Sequence, residues 1–298
     1  MVTVLALGAA VAAECRAPQP LVNRDPLLQT QLSQRLRAAG LEGALSRREL
    51  AVSLVDLTLP GEPIYAGVND DHMLYAASLP KIGILLAVLE GVNEGTIAWT
   101  PEFPWRLTKM ITISDNAYAT WGAKLVGLRG IAEVLLNPRY CLYEPGVGGL
   151  WVGRAFEKGG ESYRDPLKQI SHGATARQTA RFYAMLDAGQ LVSPYWSEWM
   201  LARMGPPEYV HKFYLALGDL PGVTFVARKS GTWEDFHSDS ALIEHAERRY
   251  IVVGLAAHEE GESMLQRVGE IADEVIEIGE HRRFGVVAHG SQRLARQP

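Results

Sequence analysis

Three short stretches of this 298-residue chain carry side chains suited to acyl chemistry: Ser78-Leu79-Pro80-Lys81, Ser114-Asp115-Asn116 and Lys229-Ser230-Gly231. A serine hydroxyl becomes a nucleophile when a base within reach can take its proton. If a helix opens near Ser78, Lys81 projects from the same face three residues on, which sets an amine beside the hydroxyl. Pro80 suits such an opening, because the N–H that proline lacks would have had no intrahelical partner there. The helix N-terminus adds partial positive charge and unpaired N–H groups, favouring an oxyanion near Ser78 and a depressed pKa at Lys81. Each stretch alone also reads as ordinary structure: Ser78 as a cap with a solvated Lys81, 114–116 as a polar turn, 229–231 as a turn closing a strand. Their order and setting together favour chemistry.

The elements that must position these residues follow from periodicity. Residues 25–39 have helical spacing, with Leu27, Leu28, Leu32 and Leu36 near one stripe and Gly40 at the stop. Residues 50–57 and 63–68 read as two strands of a hairpin around a turn at 59–62. The apolar run 82–89 continues the helix that opens near Ser78. Helices are predicted over 109–126 and 175–188, while 137–168 is rich in glycine, proline and aromatics and shows no period. Strand character returns at 223–228, 240–244 and 250–257, followed by an amphipathic helix over 262–278 and a loosely ordered tail after His281. Strands at both ends of the chain with helices between them predict an α+β fold, an antiparallel sheet flanked by N- and C-terminal helices with an inserted all-helical domain. The sheet part is then 21–76 and 219–285, the helical part 77–218, and together they make one catalytic unit with its site at their junction.

A net charge of -5 with interspersed signs argues against nucleic acid or a basic membrane surface, and favours small or peptidic substrates. Residues 1–13 are apolar and alanine-rich and end in small residues. They read as a signal peptide without its basic start, cleaved near Ala12 or Ala13, so the protein is expected in the periplasm or secreted. An untidy apolar N-terminus on a cytoplasmic protein is the other reading. No membrane-spanning segment is evident. The two cysteines, Cys15 and Cys141, can pair only with each other, and nothing in the sequence brings them together.

The three motifs, in this order, match the set S-x-x-K, S-D-N and K-T-G. The sequence resembles the penicillin-recognising serine hydrolases over about 50–278, most closely the class A β-lactamase-like branch. In the roles this implies, Ser78 attacks an amide carbonyl, Lys81 takes its proton, and Ser114 passes a proton to the leaving nitrogen. Asn116 hydrogen-bonds Lys81 and a substrate amide, Lys229 faces a substrate carboxylate, Ser230 adds a hydroxyl, and Gly231 admits close backbone approach. The resemblance further implies an oxyanion hole from the backbone N–H groups of Ser78 and Thr232. No metal or cofactor is required, and a monomer acting on a β-lactam or D-alanyl peptide is expected. A D-alanyl peptidase or esterase of penicillin-binding type is the alternative. So is a slowly deacylating or inactive β-lactam-binding sensor.

Two features depart from the class A pattern. No glutamate with the expected asparagine partner occurs between Cys141 and Thr175; the available carboxylates are Glu157, Glu161 and Asp165. Glu161 stands nearest the expected distance and is the candidate deacylation base, with a solvated loop carboxylate as the other reading. Ser78 and Ser114 are only 36 residues apart, which predicts trimmed helices and a more open cleft. His237, Asp239 and Trp233 follow the third motif and can border the cleft or serve structure; no histidine pair, His172 and His258 included, has metal-ligand spacing.

Overall fold

The structure, a computed structural model, describes residues 21, 24–59, 61, 63–157 and 159–294, with side chains described as far as 279. The predicted signal segment and Cys15 lie outside the described residues. Helices α1 (Pro26–Ala38) and α2 (Glu42–Ser46) lead into the hairpin of β1 (Leu50–Asp56) and β2 (Ile64–Val68). After β3 (Leu74–Tyr75) come α3 (Lys81–Asn93), α4 (Phe103–Thr112), α5 (Asn116–Val126) and α6 (Leu128–Leu136). Short strands β4 (Tyr143–Glu144), β5 (Gly148–Gly149), β6 (Trp151–Val152) and β7 (His172–Ala174) precede α7 (Ala176–Asp187), α8 (Pro194–Met204) and α9 (Lys212–Leu217). The chain closes with β8 (Val223–Trp233), β9 (Phe236–His245), β10 (Arg248–Ala257) and α10 (Gly261–Leu294).

The main sheet has the order β2-β1-β10-β9-β8. Its middle is the antiparallel pairing of β1 with β10, from Leu50 opposite Ala256 to Asp56 opposite Tyr250. Both faces are covered, so β1 is buried along its whole length. The strand period of two sorts its side chains: Ala51 and Val55 join the core beneath the helical region, while Leu50, Val52 and Leu54 join the core against α1 and α10. In β10, Ile251, Val253 and Leu255 alternate with Tyr250 and Val252 in the same way.

Helix α1 matches its leucine stripe, with Leu28, Leu32 and Leu36 buried, and the Asp25 carboxylate caps it by accepting the Leu28 N–H at 2.7 Å. Leu27 falls off that stripe and is exposed. Other expectations are corrected. The helix predicted over 109–126 is two helices, because Ser114 takes a left-handed φ of 58° and Asp115 caps a fresh start at the Tyr118 N–H, 2.8 Å away. The strand predicted at 223–228 continues through the third motif to Trp233. The aperiodic 137–168 stretch holds β4, β5 and β6, so the inserted region is not purely helical, and α10 runs on past His281. Cys141 is disulfide-bonded. No helix among the described residues is long and apolar enough to cross a membrane.

Candidate active site

Residues 76–81 make tight turns ahead of α3, with the Leu79 N–H donating to Ala76 O at 3.0 Å and the Lys81 N–H to Ser78 O at 3.3 Å. Ser78 thus stands one turn before the regular helix, not within it, with Pro80 in the capping position at φ −64°. Ala77 is held at a left-handed φ of 49°, a conformation that costs an L-residue on the order of 1 kcal/mol and is kept by its surroundings. Ser78 is half-buried between buried Ala77 and Leu79, so the hydroxyl-bearing residue is the one this turn turns outward.

Lys81 is fully buried. Its Nζ donates to Ser114 O at 2.5 Å, Asn116 Oδ1 at 2.7 Å and Ser114 Oγ at 3.3 Å. Burial lowers its pKa to about 7, against a small opposing pull from Asp115, so a neutral amine is common at neutral pH. Burial, rather than the helix end, is the largest cause. Lys229, also buried, donates to Ser114 Oγ at 2.9 Å and Ser230 O at 2.6 Å. Burial, followed by the charge of Lys81, holds it well below the usual lysine value. Ser114 Oγ therefore accepts from two amines, which leaves its own proton to be donated elsewhere.

The third motif lies in β8, the edge strand, against the Ser78 turn. A Cβ on Gly231 would stand 2.5 Å from both Ala76 O and Ser78 N, so glycine alone permits this approach. The Ser238 hydroxyl reaches across from β9 to Ala76 O at 2.8 Å and fastens the same junction. Ser230 Oγ lies 3.1 Å from His211 Nε2, and burial holds His211 neutral with a pKa of about 4.

Sequence reasoning missed the residues beneath this strand. Lys212 is fully buried, and its Nζ donates to Gly231 O at 2.7 Å, Thr232 Oγ1 at 2.7 Å and Ser238 O at 3.2 Å. The segment that carries it is tied down by Arg228, which donates to Tyr209 O at 3.1 Å and His211 O at 2.9 Å and pairs with buried Asp239 at 2.6 Å. Asp239 also accepts the Phe213 N–H at 3.1 Å. Its role is therefore structural. Asp239→Asn leaves Arg228 buried without its counter-charge and is expected to cost about 3–5 kcal/mol in denaturant unfolding; a loss under 1 kcal/mol would contradict this account. The only sequence signal for Lys212 was a lone lysine leading an otherwise apolar run.

The candidate deacylation carboxylates lie in the 137–168 stretch. Glu157 and Glu161 are exposed, and Asp165 is spent on Tyr143 and the N–H groups of Leu167 and Lys168. What covers Lys81 is the Phe156 ring, whose centroid lies 4.6 Å from Nζ. Phe156 packs tilted against His172, ring centroids 4.2 Å apart, and burial holds His172 near pKa 4 with Nε2 directed at Arg154 O, 3.0 Å away. Trp233 is exposed at the end of β8, His237 is buried, and His258 caps the Glu260 N–H. No group of three or more His, Cys, Asp or Glu among the described residues is arranged to hold a metal ion.

An antiparallel sheet with a lysine-bridged serine at its junction with a helical region is the β-lactamase and transpeptidase fold. The structure of a β-lactamase from Sphaerobacter thermophilus has it too, with a TM-score of 0.64 at 19% identity over 80% of this chain and 98% of that one. PBP-A matches with a TM-score of 0.63 at 19% identity over 88% of this chain and 99% of its own. A PBP-A variant solved as its acyl-enzyme with penicillin G matches at 0.65 and 18% identity, over 87% of this chain and all of that one. No curated protein sequence matches. The chain belongs to the β-lactamase enzyme family, whose profile matches residues 105–278.

Proposed function

We propose that the protein is an exported, monomeric serine hydrolase that opens β-lactam amides through an acyl-enzyme on Ser78. The observation that supports this most is the Lys81, Ser114, Lys229 chain, in which a buried amine with a pKa of about 7 shares the Ser114 hydroxyl with a second lysine. Neutral Lys81 takes the Ser78 proton as Oγ bonds to the carbonyl carbon. The C–N bond then breaks, and the nitrogen receives a proton from Ser114 Oγ, replenished by the lysine ammonium behind it. Asn116 keeps Lys81 aligned. Lys229, Ser230 and Thr232 face the substrate carboxylate, and the N–H groups of Ser78 and Thr232 receive the oxyanion.

Intact-protein mass spectrometry after mixing with a penicillin or a chromogenic cephalosporin tests this reading. Wild type is expected to gain one acyl group, and Ser78→Ala none. No adduct on wild type with either compound would end the β-lactam reading and leave a D-alanyl peptidase or esterase to be sought.

The Phe156 ring over Lys81 favours a second, narrower reading, in which the acyl-enzyme forms readily and hydrolyses slowly. A carboxylate that activates water contributes on the order of 10²–10⁴-fold to such a step. Placing one over Lys81 with Phe156→Glu is therefore expected to shorten adduct lifetime by about 10²-fold, read by the return of unmodified mass. An unchanged lifetime would show that this face does not limit deacylation.

A further inference from the structure

We infer that Lys212 is a positioning residue for acylation, polarising the Gly231–Thr232 peptide so that the Thr232 N–H becomes a stronger oxyanion donor. The inference rests on the acyl-enzyme reading above.

The peptide between Gly231 and Thr232 is trans, since the one cis bond found among the described residues is Gly205–Pro206. In a planar trans peptide the C=O and the following N–H point in opposite directions. Gly231 O points inward, accepting from Lys212 Nζ at 2.7 Å and from the Ser238 hydroxyl at 3.4 Å. The Thr232 N–H therefore points outward from the sheet edge, on the side where Gly231 packs on Ser78 N. A cation on a peptide oxygen draws electron density from the attached nitrogen, and hydrogen bonds linked through one peptide strengthen one another in a dry site. Lys212 supplies that cation from a fully buried position. Its second bond, to Thr232 Oγ1, occupies the hydroxyl as an acceptor and leaves the Thr232 proton for a ligand.

Lys212 has no carboxylate within ion-pair distance among the described residues, although Asp239 lies near enough to favour its charge. It is faced by Arg228 and Lys229 from β8, Asp239 and His237 from β9, Glu262 from α10, and His211 on its own segment. Burial brings its pKa to about 8. Burial holds the two histidines below their ordinary value. Above pH 8 the polarising charge is lost, so acylation falls on that side.

The test compares wild type, Lys212→Met and Lys212→Arg by the rate of Ser78 acylation from pH 5.5 to 10 and by the infrared carbonyl stretch of the acyl-enzyme. Lys212→Met is expected to acylate about tenfold more slowly at pH 7, less than the full loss of an oxyanion donor. It should lack the alkaline limb and show its acyl carbonyl at higher wavenumber. Lys212→Arg should keep the wild-type frequency and move the alkaline limb upward, separating charge from folding. If wild type acylates while Lys212→Met keeps its rate, limb and frequency, this inference fails alone. If wild type takes up no acyl group, the acyl-enzyme reading fails and this inference with it.

Discussion

Replacing Lys81 by Met is expected to slow Ser78 acylation by on the order of 10²–10⁴-fold, the usual contribution of a positioned general base. In wild type the rate should rise about tenfold per pH unit below 7 and level off between 7 and 8, before the alkaline fall set by Lys212. The sign follows from the lowered pKa of about 7: below it the amine is protonated and has no lone pair to accept the serine proton. Lys81→Arg separates the two roles the residue can have. It keeps a positive charge beside Ser114 and Asn116 but cannot lose its proton at any accessible pH, so it should be as slow as Lys81→Met. A Lys81→Arg variant near wild-type rate would assign the base elsewhere, and a flat profile from pH 5.5 to 8 would do the same.

Gly231→Ala is expected to lower acylation by at least about 10²-fold, the scale of a misplacement near 1 Å at a reacting centre. It should also cost about 1–3 kcal/mol of stability as an overpacked contact. A methyl would strike the Ser238 hydroxyl at 2.8 Å and, closer still, Ala76 O and Ser78 N, both main chain and both in the turn that presents the nucleophile, so relief must come from moving β8 or moving Ser78. The Ser238 hydroxyl, bonded to Ala76 O at 2.8 Å, fastens the same junction and limits that movement. Stopped-flow acylation and thermal unfolding measure the two effects; a variant within threefold of wild-type rate would refute the close approach.

The parts of this site that the sequence made legible are those whose meaning is local. Ser78 with Lys81 three residues on, the leucine stripe of residues 25–39, and the strand over 250–257 each express one element's own geometry. The misreadings have a common origin in distant packing. Apolar spacing runs on from Met110 to Ala119 and Ala123 and suggests one helix, yet Ser114 must turn left-handed so that both its carbonyl and its hydroxyl meet Lys81. Lys229, Ser230 and Gly231 have turn propensity, and strand pairing with β9 overrides it because Gly231 has to lie flat on the Ser78 turn. Phe156 carries no local mark, and Lys212 only that of a lone lysine before an apolar run. Their significance lies only in what the fold places next to them.

The pairing of β1 with β10 also orders events in time. Leu50 meets Ala256 across a separation on the order of 200 residues, a closure that must wait for nearly the whole chain and that makes for slow, late assembly. The segment bearing Ser78 and Lys81 leaves the ribosome long before the strands that dry it and supply Lys229 and the Thr232 N–H. Until β8 docks, Lys81 sits in water as an ordinary ammonium ion and Ser78 is an unremarkable alcohol. An unfolded chain is thus chemically silent, and completing the sheet is what arms it.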